Sequence, residues 1–470
     1  MSKTLNELTD EARTLKSQGR HVEALEVLGA MVDQAPDNVA VLHNYAAVLG
    51  EAGRNGEAVD VMRKAFSMGL NAPESWLVFG RVLAGNRELE EAEAALRRLV
   101  QMQPKEPDPH RELAQLIWMK TGDREKALAV LNSAIEAYPD IAPLHIARAQ
   151  VYGETGDNDI QYAIIKEAAR LSNGDPFLEY SACNAALAAK EFDDALAYGE
   201  RVAAQMPNDN GVVSAYCQAL LATGNGKGAA VVAENLSQRD PMNQLFIALK
   251  ATAYRMLQDE RYHELFDYDA FVFTSPLDAP KGWSSLEAYL DDLIEGLDEA
   301  HSFKSHPFSQ SVRHGSQISS INGSEHPALR AYTEAMAGPV SRYIERLSPG
   351  DDPLRSRNIG GFRTFSTFSV SLHPEGFHVN HVHPQGWLSS ACHLRLAEHD
   401  PANEKAGWLK FGEPGVPTSP ELPPEKYVEP QPGVMAVFPS YMWHGTERFD
   451  TGSSRLSVAS DIVPAEPAAG

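Results

Sequence analysis

Three histidines near the end of the chain have the residue type and spacing of a metal site. His381 and His383 lie in the segment HVNHVHPQGW, and His444 lies in PSYMWHGT. Because residues i and i+2 of a β-strand point to the same side, His381 and His383 can bind one ion from one strand. His444 would reach that ion from a neighbouring strand. Neutral imidazole suits Fe, Zn, Cu and Ni, so the ligand type alone does not select the metal.

A candidate carboxylate-binding pair follows the third histidine. Arg455 lies eleven residues after His444, and Ser457 shares its face if this segment is a strand. The planar guanidinium of arginine matches a carboxylate, and serine adds a hydroxyl donor. A histidine pair, a distal histidine and then Arg-x-Ser form the order expected for an iron centre with a dicarboxylate co-substrate beside it.

The segments that carry these residues have strand periodicity. After about residue 300, short alternating runs such as RTFSTFSVSLHP and RLSVASDIVP are separated by turn residues. This pattern predicts the short strands of an antiparallel sandwich or barrel. The connection from Gly412 to Gly433 holds seven prolines. It is too rich in proline for a central strand and is predicted to be an ordered surface loop or lid.

The first half of the chain repeats with a period close to 34 residues. A glycine often precedes the anchoring alanine of each cycle by five residues, and a proline mostly follows it by twelve. Glycine ends the first helix of a pair, alanine lets the second helix approach closely, and proline ends the pair. The third cycle lacks the glycine, and the fifth is lengthened around Gly156–Ala163. The alanines, spaced by 34, 34, 35, 36, 32 and 34 residues, are Ala24, Ala58, Ala92, Ala127, Ala163, Ala195 and Ala229.

This pattern resembles the tetratricopeptide repeat, whose period is about 34 residues. The resemblance covers roughly residues 5–245 and implies an all-α solenoid with an extended binding surface. Such a surface implies a protein or peptide as partner or substrate. The alternative is a spacer or a dimerisation arm that binds no client.

The C-terminal segment resembles the 2-oxoglutarate- and Fe(II)-dependent oxygenases, in a bacterial branch fused to tetratricopeptide repeats. A weaker likeness to aspartyl/asparaginyl β-hydroxylases lies in HPEGFHVNHVHP. The resemblance implies a double-stranded β-helix, which is a relative of the jelly roll, and a hydroxylase that uses Fe(II) with 2-oxoglutarate as co-substrate. The stretches that carry it are HPFSQSVRHGSQ (306–317), GFHVNHVHPQGWLSSACHLRL (376–396), LKFGEPG (409–415) and the residues 432–464.

The resemblance also implies roles for individual residues. By motif position, His381 and His444 are iron ligands, and Arg455 binds the distal carboxylate of 2-oxoglutarate with the help of Ser457. Arg395 lies where a second carboxylate contact is expected. His393 shares a strand face with Arg395 and can line the pocket. The candidates for the wall of the cleft are Gln310, Arg313 and Gln317.

His383 departs from the pattern of the wider superfamily, which has Asp or Glu at this position. The usual iron centre of such enzymes consists of two histidines and one carboxylate. His383 either binds iron directly or leaves its position to water, and we predict direct ligation in one three-histidine site. The departure also keeps two alternatives open: a scaffold whose β-domain binds metal or ligand without turnover, and a metal enzyme of cupin type that uses no 2-oxoglutarate. Arg455 and Ser457 argue against the second.

Composition limits the class of partner. The formal net charge of −23 argues against nucleic acid and anionic membranes as partners, because phosphate repulsion is not offset. Three cysteines without metal or redox spacing, a polar N-terminus without a signal-peptide pattern and the lack of a long apolar run make the cytoplasm the expected compartment. The expected divisions are a solenoid (1–265), a helical linker (266–299), the β-domain (300–464) and a tail (465–470).

Overall fold

A computed structural model describes residues 3–398 and 400–466, so that most of the predicted tail, 467–470, lies outside the described residues. The first part is an array of antiparallel helix pairs, in which consecutive helices form seven repeats and a capping pair. Its helices are α1 (Leu5–Ser17), α2 (His21–Gln34), α3 (Val39–Glu51), α4 (Asn55–Ser67), α5 (Pro73–Gly85), α6 (Leu89–Met102), α7 (Pro107–Thr121), α8 (Arg124–Ala137), α9 (Ala142–Glu154), α10 (Asn158–Leu171), α11 (Pro176–Ala188), α12 (Phe192–Gln205), α13 (Asn210–Ala222), α14 (Gly226–Arg239), α15 (Gln244–Leu257) and α16 (Arg261–Leu265).

The turn between the two helices of each repeat is left-handed. Glycine takes this conformation at no steric cost, and it does so at Gly19, Gly53, Gly122 and Gly224. In the third repeat, which lacks the glycine, Arg87 adopts the same conformation with a φ of 65°. The fifth repeat differs from the predicted register in one respect. Ala163 is exposed, and the bulkier neighbouring Tyr162 occupies the buried position.

The second part is built on strands, with four further helices and a short 3-10 turn, Arg355–Arg357, around them. The helices are α17 (Tyr268–Phe271), α18 (Leu286–Ala300), α19 (Pro327–Arg330) and α20 (Tyr332–Arg346). The strands are β1 (Phe273–Pro276), β2 (Val312–Ile318), β3 (Phe362–His378), β4 (Leu388–Arg395), β5 (Leu409–Phe411), β6 (Lys426–Val428), β7 (Val434–Pro439), β8 (His444–Thr446) and β9 (Arg455–Pro464).

The strands form two antiparallel sheets. The larger has the order β1-β7-β4-β9-β3-β2, and the smaller has the order β6-β5-β8. Central strands carry apolar side chains, such as Val370, Leu456 and Val458, that are at most 2% exposed. The predicted fold class is therefore confirmed: a tetratricopeptide-type solenoid precedes an antiparallel β-domain of jelly-roll type. Among the described residues, no helix combines the length and the apolar character that crossing a bilayer requires.

The predicted linker, 266–299, is part of the β-domain. It contains β1, which pairs with β7 at the edge of the larger sheet, and α18, which buries Leu293 and Leu297. The run Phe273–Pro276 is too short for strand periodicity to show in the sequence, and its closing proline fits an edge strand. One hydrophobic core extends from α13–α15 of the solenoid through this region into the sheets.

The core shared by solenoid and sheets includes one buried polar contact. Trp443 donates its indole N–H to Thr252 on α15, with 2.9 Å between Nε1 and Oγ1. We expect Thr252→Val to lower the free energy of unfolding by about 1–3 kcal/mol, because the buried indole N–H loses its acceptor. Urea denaturation measures the effect. In the control Thr223→Val, the lost hydroxyl donates only to carbonyls of its own helix, so an equal loss in both variants would contradict the prediction.

Candidate metal centre

Backbone pairing brings two of the three histidines together. His381 follows the end of β3, and His444 begins β8. The two residues exchange backbone hydrogen bonds, with N···O distances of 2.9 Å from His381 to His444 and 3.1 Å in return. Directly opposite residues of an antiparallel pair place their side chains on the same face. The pairing therefore explains how histidines that are distant in sequence converge.

The three imidazoles form one cluster. One candidate ligand atom each from His381, His383 and His444 lies within 4.8 Å of the other two. The ring centroids are 4.3 Å apart for His381 and His444, and 5.0 and 5.2 Å from these two rings to that of His383. A site of this size can hold a single ion between three nitrogens.

Hydrogen bonds from the protein fix the orientation of each ring. The Nδ1–H of His381 donates to the carbonyl of Val379 at 2.8 Å, and that of His444 donates to Met442 at 2.9 Å. The Nδ1 of His383 lies 2.8 Å from a carboxylate oxygen of Asp461. All three rings therefore keep Nε2 for an ion, and such partners of the second nitrogen are the usual support of metal-binding histidines.

Asp461 is a residue of the candidate site that the sequence analysis did not identify. Burial acts to raise its pKa, but the charge of His383 and hydrogen bonds from His383, Ser366 and Ser389 hold the pKa below its ordinary value. Its carboxylate is therefore ionised and faces the ring of His383. A signal was present in the sequence, because Arg455, Ser457 and Asp461 are separated by even numbers of residues and share one face of β9.

We expect Asp461→Ala to weaken metal binding by about 10- to 100-fold, because the His383 ring loses the partner that orients it and makes it a better ligand. Asp461→Asn keeps a hydrogen-bond acceptor and should lose less. Competitive titration with Zn²⁺ measures the affinities. Asp298→Asn is the control, since this carboxylate pairs with Arg395 away from the histidines. Equal affinities for the parent and the alanine variant would show that Asp461 does not support the site.

Two of the three histidines, His381 and His444, are held in the neutral form that a metal requires. Burial lowers the pKa of His381 to about 3, and the neighbouring His383 contributes to this shift. Burial, with His381 and His383, lowers the pKa of His444 well below its ordinary value. Neutral imidazoles offer their lone pairs without first losing a proton, so the site is prepared for a cation.

Arg455 lies in the same region of the domain and is 2% exposed. One of its terminal nitrogens donates to Thr446, two residues after His444, at 3.1 Å, and the other contacts Nε2 of His393. Its Nε has no hydrogen-bond partner, and no described residue forms an ion pair with it. Burial lowers the pKa of Arg455 to about 9. A buried guanidinium without a counter-charge is unfavourable, and an anionic ligand would relieve this cost.

Ser457 lies beside this group, and the three candidates for the cleft wall bond to one another and to the local backbone. Ser457 is buried and pairs with His393 across β9 and β4. Gln317 donates to the side chain of Gln310 at 3.1 Å, so the two amides bond to each other. Arg313 donates to the carbonyls of Gln310 and Val312 at 2.6 and 2.8 Å. Its charge also contributes to the lowered pKa of His378.

Two residues are placed differently from the strand-parity argument. A register shift between His393 and Arg395 breaks the alternation of β4. Arg395 consequently pairs with Asp298, and its side chain is 37% exposed. His378 is three residues before His381, and strand alternation alone would put the two rings on opposite faces; because β3 ends at His378, their ring centroids are only 6.0 Å apart.

Family models match two segments of the chain. The tetratricopeptide repeat model matches residues 186–253, and the model described as "Putative 2OG-Fe(II) oxygenase" matches residues 366–461. The second range contains all three histidines together with Arg455, Ser457 and Asp461. These matches confirm the predicted resemblance of the two parts.

Whole-chain comparisons find the repeat part. DnaJ homolog subfamily C member 3 from Homo sapiens is 24% identical over 175 residues, which span 34% of this chain and 35% of that protein. Among solved structures, a tetratricopeptide repeat protein from Parabacteroides merdae is 16% identical with a TM-score of 0.37, covering 53% of this chain and 98% of that chain. TTC0263 from Thermus thermophilus is 25% identical with a TM-score of 0.29, covering 38% and 99%.

Proposed function

We propose that this protein is an Fe(II)- and 2-oxoglutarate-dependent oxygenase that hydroxylates a protein or peptide. When bound, Fe(II) and 2-oxoglutarate supply the oxidising chemistry: O2 is consumed, 2-oxoglutarate is converted to succinate and CO2, and a C–H bond of the substrate becomes C–OH. The three histidines hold the metal through Nε2. Arg455, Ser457 and their neighbours bind the co-substrate.

The observation that carries the proposal is the buried, uncompensated guanidinium of Arg455. Arg455 begins β9, and its hydrogen bond to Thr446 holds its guanidinium against β8, the strand that also carries His444. 2-oxoglutarate has two carboxylates, so that one end can meet the metal while the other pairs with Arg455. A binding module for neutral ligands, or a metal site without an anionic co-substrate, gives no reason to bury this charge.

Aromatic side chains pack around two of the three candidate ligands and reduce their exposure to water. The ring centroids of Phe438 and His444 are 4.6 Å apart, and those of Phe411 and Phe438 are 4.9 Å apart. The ring of Phe368 is stacked with that of His383, with 6.2 Å between the ring centroids. A dry pocket strengthens the contact between Arg455 and a carboxylate and protects reactive species from side reactions.

The open part of the solenoid supports a polypeptide as substrate. Among the described residues, no hydrogen bond or ion pair joins 155–220 to the C-terminal domain, and Phe177 on α11 is 62% exposed. On either side of this stretch the solenoid contacts segments that lead to the histidines. Glu154 binds Ser309, and Leu221 binds Ser419. We infer that a protein segment docks on repeats five to seven and reaches the metal from there.

Succinate release tests the proposed activity. The purified chain with Fe(II), ascorbate and 2-oxoglutarate under air is expected to form succinate, and His444→Ala is not. Binding of 2-oxoglutarate without succinate formation would favour a non-catalytic binding domain. Metal binding without affinity for 2-oxoglutarate would favour a metal enzyme of the cupin type.

A further inference from the structure

The groove between the first helices of repeats three to five holds a segment of this chain. Backbone N–H groups of Lys304 and Ser305 donate to the carbonyl of Met119 on α7 at 2.8 and 3.2 Å. The backbone N–H of Phe308 donates to the side chain of Gln115 at 2.9 Å. The solenoid thus binds this backbone through hydrogen bonds, as a groove binds a peptide ligand.

Side chains of the segment fill the apolar part of the groove. Phe308 is 5% exposed and belongs to the hydrophobic core of the first repeats. The ring of His306 packs edge-on against Trp118, with 5.8 Å between centroids. Space remains beside Phe308, in a cavity of about 400 Å³ that α5 and α7 line. The groove therefore accommodates an aromatic side chain, Phe308, that its own chain provides.

The segment ends at a charge-assisted anchor on the fifth repeat. Glu154, the last residue of α9, accepts the backbone N–H of Ser309 at 2.7 Å and its hydroxyl at 2.9 Å. Hydrogen bonds to a carboxylate are stronger than neutral ones. The anchor fixes where the chain leaves the groove.

Two residues after the anchor, the chain contacts the candidate metal centre. The carbonyl of Ser311 accepts the backbone N–H of Val379 at 2.9 Å, and its hydroxyl bonds to Nδ1 of His378 at 3.0 Å. Val379 in turn accepts from the ring of His381. Two residues span at most about 7 Å, so a displacement of Ser309 should also displace Ser311.

We propose that residues 304–309 are a built-in peptide ligand of the repeat groove, and that Gln115 and Glu154 are positioning residues of the metal and co-substrate site. They act through Ser309 and Ser311 on the backbone that orients His381. The inference rests on the proposed function for the identity of the ligands, and it assigns the N-terminal repeats an internal role in that site. The groove that residues 304–309 fill is then not the docking surface for the substrate.

Hydrogen-exchange mass spectrometry and calorimetry of the full-length chain test the proposal. In Glu154→Ala and Gln115→Ala, exchange should accelerate over 304–311 and also at Val379. Affinities for Zn²⁺ and 2-oxoglutarate should fall about 2- to 30-fold, which is the range for residues that modulate a site without touching its ligand. Glu154→Gln retains an acceptor and should recover part of the loss. Phe308→Ala should show the same pattern more strongly.

The control is Leu171→Ala, at an exposed position of α10 remote from the groove, which should change neither exchange nor affinity. Accelerated exchange over 304–311 with unchanged affinities in Glu154→Ala and Gln115→Ala would overturn the proposal, as would unchanged exchange in both. If the parent chain itself does not bind 2-oxoglutarate, the proposed function fails instead. Exchange at Val379 and the Zn²⁺ affinity then still decide the inference.

Discussion

Alanine in place of His381 or His444 is expected to abolish specific metal binding. Each substitution leaves two nitrogens, which make a poor site for a divalent ion, and the pocket offers no described carboxylate in their place, since Asp461 is engaged with His383. Metal analysis after anaerobic loading with Fe(II), and titration with Zn²⁺, measure the loss. His145→Ala is the control, because this ring bonds to a carbonyl in the solenoid. Stoichiometric metal in either variant would disprove the assignment.

Substitution of His383 distinguishes a direct ligand from a neighbour of bound water. If His383 binds the metal, His383→Ala should bind it weakly. His383→Asp restores the common set of two histidines and one carboxylate and should retain metal, most clearly when Asp461→Asn removes the facing negative charge. Metal content of His383→Ala equal to that of the parent would show that water holds this position.

Arg455→Ala is expected to weaken 2-oxoglutarate binding by tens-fold or more and to leave the metal content nearly unchanged. Removing one partner of a buried ion pair costs about 2–5 kcal/mol of binding free energy. Anaerobic calorimetry on the Zn²⁺-loaded protein measures it. Arg395→Ala is the matched control, because its guanidinium pairs with Asp298 outside the cluster. Equal losses in the two variants, or no loss in Arg455→Ala, would exclude Arg455 as the specific carboxylate anchor.

Stability gives an independent test of the same residue. In the ligand-free protein, Arg455 is a buried charge without a counter-ion, so Arg455→Met should leave the free energy of unfolding unchanged or raise it. The same substitution should remove the stabilisation that 2-oxoglutarate provides. A residue that served only to hold the fold would show the opposite pattern.

Local periodicity was sufficient for much of the site. Strand geometry explains the pair Arg455 and Ser457, which share a face of β9. His381 and His383 instead converge beyond the end of β3, so the prediction that one strand carries both is wrong; His381 makes an isolated bridge with His444, and His383 lies outside the strands. Parity failed for Arg395, because a register shift within β4 cannot be seen in a single strand. Asp461 was missed because its importance depends on the strand that lies opposite, and this pairing is a property of the folded sheet.

The helix repeats could be predicted from the sequence for a related reason. A period of about 34 residues reports the packing of each pair on its neighbours, and buried Ala24, Ala58 and Ala92 confirm that register. The repeat period carries no information about the contact between the array and the sheets. That contact depends on the conformation of single connections, such as the segment 304–309, which have no periodicity of their own.

The attachment of the proline-rich connection to the solenoid has a mechanical consequence. This connection passes beside Asn380 and Trp443, the neighbours of two of the clustered histidines, and is tied to the array where Ser419 bonds to Leu221 and where Arg255 donates to the carbonyls of Gly412 and Pro423. Because of these attachments, the connection cannot move independently of the array. Any movement of the connection therefore has to move the attached part of the array with it, and the stiffness of the array resists that movement.

The most deformable section of the array is identifiable from its packing. The core of repeats five to seven consists mainly of alanine, from Ala149 to Ala222, and is separate from the cores on either side. Small side chains bury little area, so each interface resists deformation less than a leucine-rich one. Deformation of the array should therefore concentrate in these repeats. Stiffening them should slow the entry and release of ligands while leaving the histidine cluster unaltered.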